Sequence, residues 1–93
     1  MNYLHSELDL RKGDVVVVKL DSQANVLLMD QPNFDAYLKS TSYRYFGGHA
    51  ETSPVRLVAP RSGRWHVVVD LGGYAGTVKA SVQVKARQGR PVG

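Results

Sequence analysis

The sequence contains no cysteine among its 93 residues. Disulfide bridges, zinc sites with thiolate ligands and cysteine nucleophiles are therefore excluded. Long hydrophobic runs are missing as well, because no purely apolar stretch is longer than the four valines at 15–18. A membrane-spanning helix needs about 20 apolar residues, and the N-terminus carries no export signal. The sequence therefore predicts no membrane contact and a cytoplasmic location.

Recognisable catalytic and cofactor motifs are also lacking. There is no Gly-x-Ser-x-Gly nucleophile elbow and no Gly-x-Gly-x-x-Gly phosphate loop, and the glycines at 72–76 are typical of a turn between strands. His5, His49 and His66 lie on three different predicted elements, without the spacing of metal ligands. We therefore expect no catalytic residue, metal or cofactor, and three unrelated histidines.

The composition is that of one folded domain. Hydrophobic residues make up 43% and charged residues 22% of the chain, which is too apolar for a disordered segment. Residues 1–85 are expected to form this single domain. The polar, basic end at 86–93 has little to bury and is predicted to be a flexible tail.

Positive charge is concentrated in the middle of the chain. The net charge is +4, yet residues 1–38 carry −3 while residues 39–64 carry +4. The segment at 65–84 is neutral, and residues 85–93 add +3. A patch of positive potential is therefore expected around the middle segment rather than over the whole surface.

Alternation of apolar and polar residues with a period of two dominates the chain and indicates strands. The predicted strands lie at 4–10, 15–20, 26–29, 43–46, 54–60, 64–71 and 77–85. Glycine pairs and turn sequences separate them, and Gly47 and Gly48 are expected to end the fourth strand. The valines at 15–18 are apolar on both faces, so their outer face needs a cover.

One helix is predicted near residues 31–39. Asp30 is a suitable N-cap, Pro32 suits the first turn, and Phe34, Tyr37 and Leu38 fall on one side at helical spacing. A helix this short is stable only when it packs on a sheet. The helix, the N-terminal strand and a second subunit are the candidate covers of the valine strand, and a cover from the same chain is favoured. The predicted fold is an all-β, antiparallel, two-sheet sandwich, jelly-roll-like, with one short helix.

Three segments resemble the bacterial domain of unknown function 1883 family. They read NVLLMDQPNFDAYLK at 25–39, YRYFGGHAETSPVRL at 43–57 and PRSGRWHVVVDLGGYAGTVKASVQV at 60–84. The resemblance implies a small β-sandwich domain that occurs alone or fused to other domains, including Toll/interleukin-receptor domains. It implies no activity, cofactor or catalytic residue.

The middle segment combines aromatic and basic side chains, as recognition surfaces do. The candidate binding residues are Tyr43, Arg44, Tyr45, Arg56, Arg61 and Arg64. Arginine holds carboxylates and phosphates in bidentate geometry, and tyrosine adds rigid contact area. The alternative is that one tyrosine and Phe46 belong to the core while the arginines are merely solvated.

Two functions fit these residues. The favoured one is a non-catalytic recognition or adaptor module, monomeric or weakly dimeric, that binds a protein or a small polar or anionic ligand. The alternative is binding of single-stranded nucleic acid, with arginines on phosphates and tyrosines stacked on bases. The near-neutral core argues against the alternative, because such proteins carry a strong basic stripe.

Overall fold

The computed structural model describes residues 3–86, which form seven strands and one helix. The elements are β1 (Tyr3–Leu10), β2 (Val15–Leu20), β3 (Ala24–Asp30), α1 (Gln31–Leu38), β4 (Phe46–Ala50), β5 (Val55–Val58), β6 (Gly63–Asp70) and β7 (Ala80–Lys85). The predicted tail, apart from Ala86, lies outside the described residues.

The strands form two antiparallel sheets. One sheet has four strands in the order β1-β6-β3-β4, and the other has three in the order β5-β2-β7. All five strand pairings are antiparallel. The chain crosses between the sheets repeatedly, so strands that are distant in sequence become neighbours. The predicted all-β sandwich with one short helix is confirmed.

The main core lies between the two sheets. Its buried side chains are Leu10, Val16, Val18, Ala24, Val26, Leu28, Ala59, Trp65, Val67 and Val69. Trp65 is 2% exposed and is among the largest fully buried side chains, and its indole N–H donates to the carbonyl of Arg61 at 3.1 Å. Trp65, Val67 and Val69 alternate along β6 and all face this core.

A second, smaller core lies on the outer face of the four-stranded sheet. Leu27, Met29 and Val68 point away from the sandwich, and α1 covers them with Phe34 and Tyr37. β3 and β6 are consequently buried on both faces. The helix thus docks on β3 and β6, so of the candidate covers of the valine strand β2 the helix is not the one used.

β2 needs no helix over its outer face because its neighbours shield it. Val17 is 3% exposed although it shares that face with Arg56 of β5 and Gln83 of β7, its partners in register. The long side chains on each side cover the small valine. Burial of a central-strand residue therefore does not require another layer.

Asp30 starts the helix as the sequence predicts. Its carboxylate accepts from the backbone N–H of Asn33 at 3.2 Å, and Pro32 occupies the first turn. Phe34 and Tyr37 are buried as expected, whereas Leu38 is 50% exposed because the helix ends there and turns it toward solvent.

The aromatic strand predicted at 43–46 is displaced. Residues 43–45 form a loop, and β4 begins at Phe46 and includes Gly47 and Gly48. A Cβ on Gly47 would lie 2.1 Å from the carbonyl oxygen of Val26, so glycine permits this strand to approach β3. The glycine pair therefore continues the strand that it was expected to end.

Replacing Trp65 with alanine is expected to lower the free energy of unfolding by about 3–5 kcal/mol, because a large side chain is removed from the centre of the core. Urea denaturation measures this loss. The buried indole should also give blue-shifted fluorescence in the native protein, and emission at the wavelength of free tryptophan would contradict the packing described.

Candidate functional site

Four of the six predicted binding residues lie at one edge of the four-stranded sheet. Arg44, Tyr45 and Arg61 line a cleft of about 590 Å³, and Tyr43 lies on the other side of Tyr45. We name the first cavity the arginine cleft; its walls are completed by Leu28, Met29, Asp30, Asn33, Phe46 and Trp65. Tyr45 and Phe46 are 47% and 48% exposed, so the cleft presents aromatic surface to a ligand.

Two contacts restrain Arg61, which lines the arginine cleft with its side chain 57% exposed. Its guanidinium forms an ion pair with Asp30 and lies 4.8 Å from the centre of the Trp65 ring. Partial burial opposes ionisation of Asp30, but hydrogen bonds from Asn33 and the charge of Arg61 lower the pKa of Asp30 below its usual value. A restrained guanidinium loses little entropy when it binds an anion.

Asn33 connects the helix to the loop that carries Arg44. Its side-chain amide donates to Asp30 at 2.7 Å, and its oxygen accepts from the backbone N–H of Arg44 at 2.7 Å. The Arg44 guanidinium forms no ion pair with any residue in 3–86. Two guanidinium groups and one carboxylate therefore leave the cleft with one excess positive charge.

Arg56 and Arg64 are not part of this cleft. Arg56 projects from β5 on the outer face of the three-stranded sheet. Arg64 projects from β6 and pairs with Glu7 at 2.7 Å and Asp9 at 3.2 Å across the sheet. Acidic residues of the segment 1–38 pair with Arg61 and Arg64 and so offset part of the positive charge of the middle segment.

A second cavity borders Tyr45 on its other side, and we name it the tyrosine cleft. It measures about 450 Å³ and is lined by Asn25, Leu27, Tyr37, Tyr43, Tyr45, Gly48, His49, Asp70 and Gly72. Asp70 lies at the base of this cleft, where it is 5% exposed and accepts three hydrogen bonds. The donors are Tyr37 Oη at 2.8 Å, Asn25 Nδ2 at 2.9 Å and the backbone N–H of Gly72 at 2.9 Å.

The tyrosine rings of this cleft are in contact with one another. Tyr37 and Tyr43 meet edge to face with centroids 5.3 Å apart, and Tyr43 and Tyr45 are 5.8 Å apart at 45°. Burial, then the hydrogen bond to Asp70, raises the pKa of Tyr37 above its usual value. Burial, then the charge of Asp70, raises the pKa of Tyr43. Both phenols are therefore neutral donors at pH 7.

Two of the three histidines converge, contrary to expectation. His5 Nε2 lies 2.7 Å from His66 Nδ1, and His66 Nε2 lies 2.7 Å from Gln31 Oε1. Because Gln31 donates its amide to Asp35, its oxygen must accept, so His66 carries its proton on Nε2. Phe34 stacks on both imidazoles at 4.3 Å. His5 and His66 lie on the neighbouring strands β1 and β6 but are 61 residues apart in sequence, so no local pattern reveals the pair.

Several lining residues were missed by sequence reasoning. Asp30 was interpreted only as a helix cap, and Phe46 was weighed as a core residue. Asn25 and Asp70 belong to strands that the sheet brings into register, and no local pattern marks that pairing. His49 also lines the tyrosine cleft, and its closeness in sequence to the aromatic segment at 43–46 is the feature that could have identified it.

No cluster of three or more His, Asp or Glu side chains able to hold a metal occurs within residues 3–86. The same part of the chain contains no helix that is long and apolar enough to cross a membrane.

The chain belongs to the family described as Domain of unknown function (DUF1883), whose family model matches residues 1–88. The resemblance seen in the sequence is thereby confirmed. No curated protein and no solved structure matches the chain.

Because His66 is buried, we expect acid to destabilise the fold. Burial, then the positive charge of His5, lowers the pKa of His66, whereas the unfolded chain binds the proton near the ordinary pKa of about 6.5. The stability that depends on neutral His66 is present above about pH 6.5 and is lost as the pH falls toward the lower pKa of His66 in the folded protein. Between pH 7.5 and 5.5 the protonation of His66 lowers the free energy of unfolding by up to about 1.4 kcal/mol.

Urea denaturation at the two pH values measures this loss. The His66→Gln variant is expected to show a smaller difference between the two pH values, while the exposed His49→Gln control keeps the wild-type difference. An unchanged pH dependence in His66→Gln would show that other groups cause it.

Proposed function

We propose that this domain is a non-catalytic recognition module that binds carboxylate or phosphate groups of a protein partner or small ligand in the arginine cleft. The observation that carries the proposal is the position of Arg44. Its guanidinium is exposed, forms no ion pair within residues 3–86, and stands beside the restrained Arg61 and the exposed ring of Tyr45.

The surroundings of Arg44 suit an anion with an apolar neighbour. Charge-assisted hydrogen bonds from arginine to carboxylate or phosphate are among the strongest polar contacts in proteins. The exposed rings of Tyr45 and Phe46 supply aromatic contact area at low cost in side-chain entropy. The ion pair with Asp30 reduces the net charge of the cleft, so shape and aromatic contact contribute to affinity as much as charge does.

Binding of single-stranded nucleic acid receives less support. Arg56 lies on the opposite sheet and Arg64 is paired with Glu7 and Asp9, so the arginines do not form a continuous track for a phosphate backbone. Tyr45 offers one exposed ring, whereas Tyr43 is half-buried against Tyr37. The favoured function therefore requires one anionic group rather than a chain of them.

The decisive variant is Arg44→Ala, since this exposed side chain contributes little to stability. We measure fluorescence anisotropy of a labelled, glutamate-rich peptide containing one phenylalanine, and of its phosphoserine counterpart. At least one of the two is expected to bind, and Arg44→Ala is expected to weaken that binding about tenfold or more, because a charge-assisted hydrogen bond is lost.

Arg56→Ala is the matched control, because it removes the same charge from the far face. It should leave the affinity within about twofold. An equal loss in both variants would indicate a nonspecific charge effect. Tighter binding of a thymidine oligonucleotide, with steep salt dependence, would favour the nucleic-acid function instead. Absence of binding to all three probes would contradict the proposal.

A further inference from the structure

The tyrosine cleft has the opposite electrostatic character from the arginine cleft. Asp70 lies at its base, almost fully buried, and its three hydrogen-bond donors are all uncharged. No lysine or arginine within residues 3–86 forms an ion pair with it. A buried carboxylate that accepts three hydrogen bonds without a cationic partner leaves a negative potential in the cavity above it.

Aromatic rings form the walls of this negative cavity. Tyr37 and Tyr43 meet at 81°, Tyr43 and Tyr45 meet at 45°, and all three tyrosines line the cavity. Ring faces carry negative partial charge and attract cations, most strongly where the cation is already desolvated. The raised pKa of Tyr43, caused by burial and then by Asp70, agrees with this negative potential.

We propose that the tyrosine cleft is a binding site for an organic ammonium group, with Tyr43 and Tyr45 as its aromatic walls and Asp70 as its counter-charge. Metal ions fit poorly, because hard cations require several converging oxygen ligands and Asp70 is the only carboxylate lining the cleft. An alkylammonium needs only ring faces and one carboxylate. The group can come from a lysine side chain of a partner or from a free amine.

This site is distinct from the arginine cleft, although Tyr45 lines both cavities. Its occupant has the opposite charge, and the variants that test it differ. The two proposals can therefore fail separately.

The test is an NMR titration of the isotopically labelled chain with choline, with a trimethyllysine peptide and with 3,3-dimethylbutanol. The alcohol has the shape of choline but no charge. We expect choline or the peptide to shift the backbone amides of Gly48, His49 and Gly72. The alcohol should bind at least about tenfold more weakly, because it lacks the attraction to Asp70 and the ring faces.

Asp70→Asn is the principal variant. The asparagine oxygen still accepts from Asn25 and Gly72, and its amide can donate to the Tyr37 hydroxyl, so the shape of the cleft is kept while the charge is lost. It is expected to weaken ammonium binding about tenfold. Asp35→Asn, the same change on the exposed side of α1, should leave binding within about twofold.

Two variants of Tyr45 test whether its aromatic ring contributes to ammonium binding. Tyr45→Phe should keep ammonium binding and Tyr45→Ala should lose it, and the half-exposed position tolerates both changes. Arg44→Ala should not weaken it. Tighter binding of the peptide than of choline identifies a protein lysine as the source, and the reverse identifies a free amine. Equal affinity for choline and its neutral analogue, or no shift with either ammonium probe, would overturn the proposal.

Discussion

Burial of β3 and β6 on both faces is the constraint on which the rest of the structure depends. Their inner side chains form the core of the sandwich, and their outer ones, Leu27, Met29 and Val68, require a cover. Helix α1 supplies it and begins directly where β3 ends, at Asp30. The loop that follows the helix must then return along the sheet edge to reach β4. That path places Tyr43, Arg44 and Tyr45 beside Arg61, which arrives from the turn before β6.

The same geometry produces two cavities of opposite charge on either side of Tyr45. The arginine cleft opens toward the start of the helix, where Asn33 and Asp30 hold the loop and Arg61. The tyrosine cleft opens toward the end of β6, where Asp70 anchors Tyr37 from below. Polar contacts thus fix each wall to a rigid element while leaving Arg44 and the Tyr45 ring exposed.

The sequence allowed the fold class, most strand positions and the helix cap to be predicted, because periodicity and capping are local. It failed at Gly47, where the need for glycine arises from the approach of Val26 in a neighbouring strand, and at Gly48, whose φ of +143° favours glycine. It did not identify the docking face of the helix, since the apolar run at 26–29 of β3 is as long as the four valines of β2 and both predict a strand with two apolar faces. Tyr43, Arg44, Tyr45 and Arg61 could be grouped because three are adjacent in sequence. The ion pairs of Arg64, the convergence of His5 with His66 and the role of Asp70 depend on strand register, which no local pattern contains.

The docked helix holds the loop at 43–45 through Asn33, whose side-chain oxygen accepts from the backbone N–H of Arg44. The most direct measurement is the backbone order parameter of Tyr43, Arg44 and Tyr45 by ¹⁵N relaxation, in the native chain and in Asn33→Ala. Asp30 still caps the helix in this variant through the backbone N–H of residue 33, so the helix and sheets are retained. The account predicts order parameters near 0.85 for the native loop and below about 0.6 for the variant. A loop that stays equally rigid without the Asn33 side chain, or that is already mobile in the native chain, would contradict it.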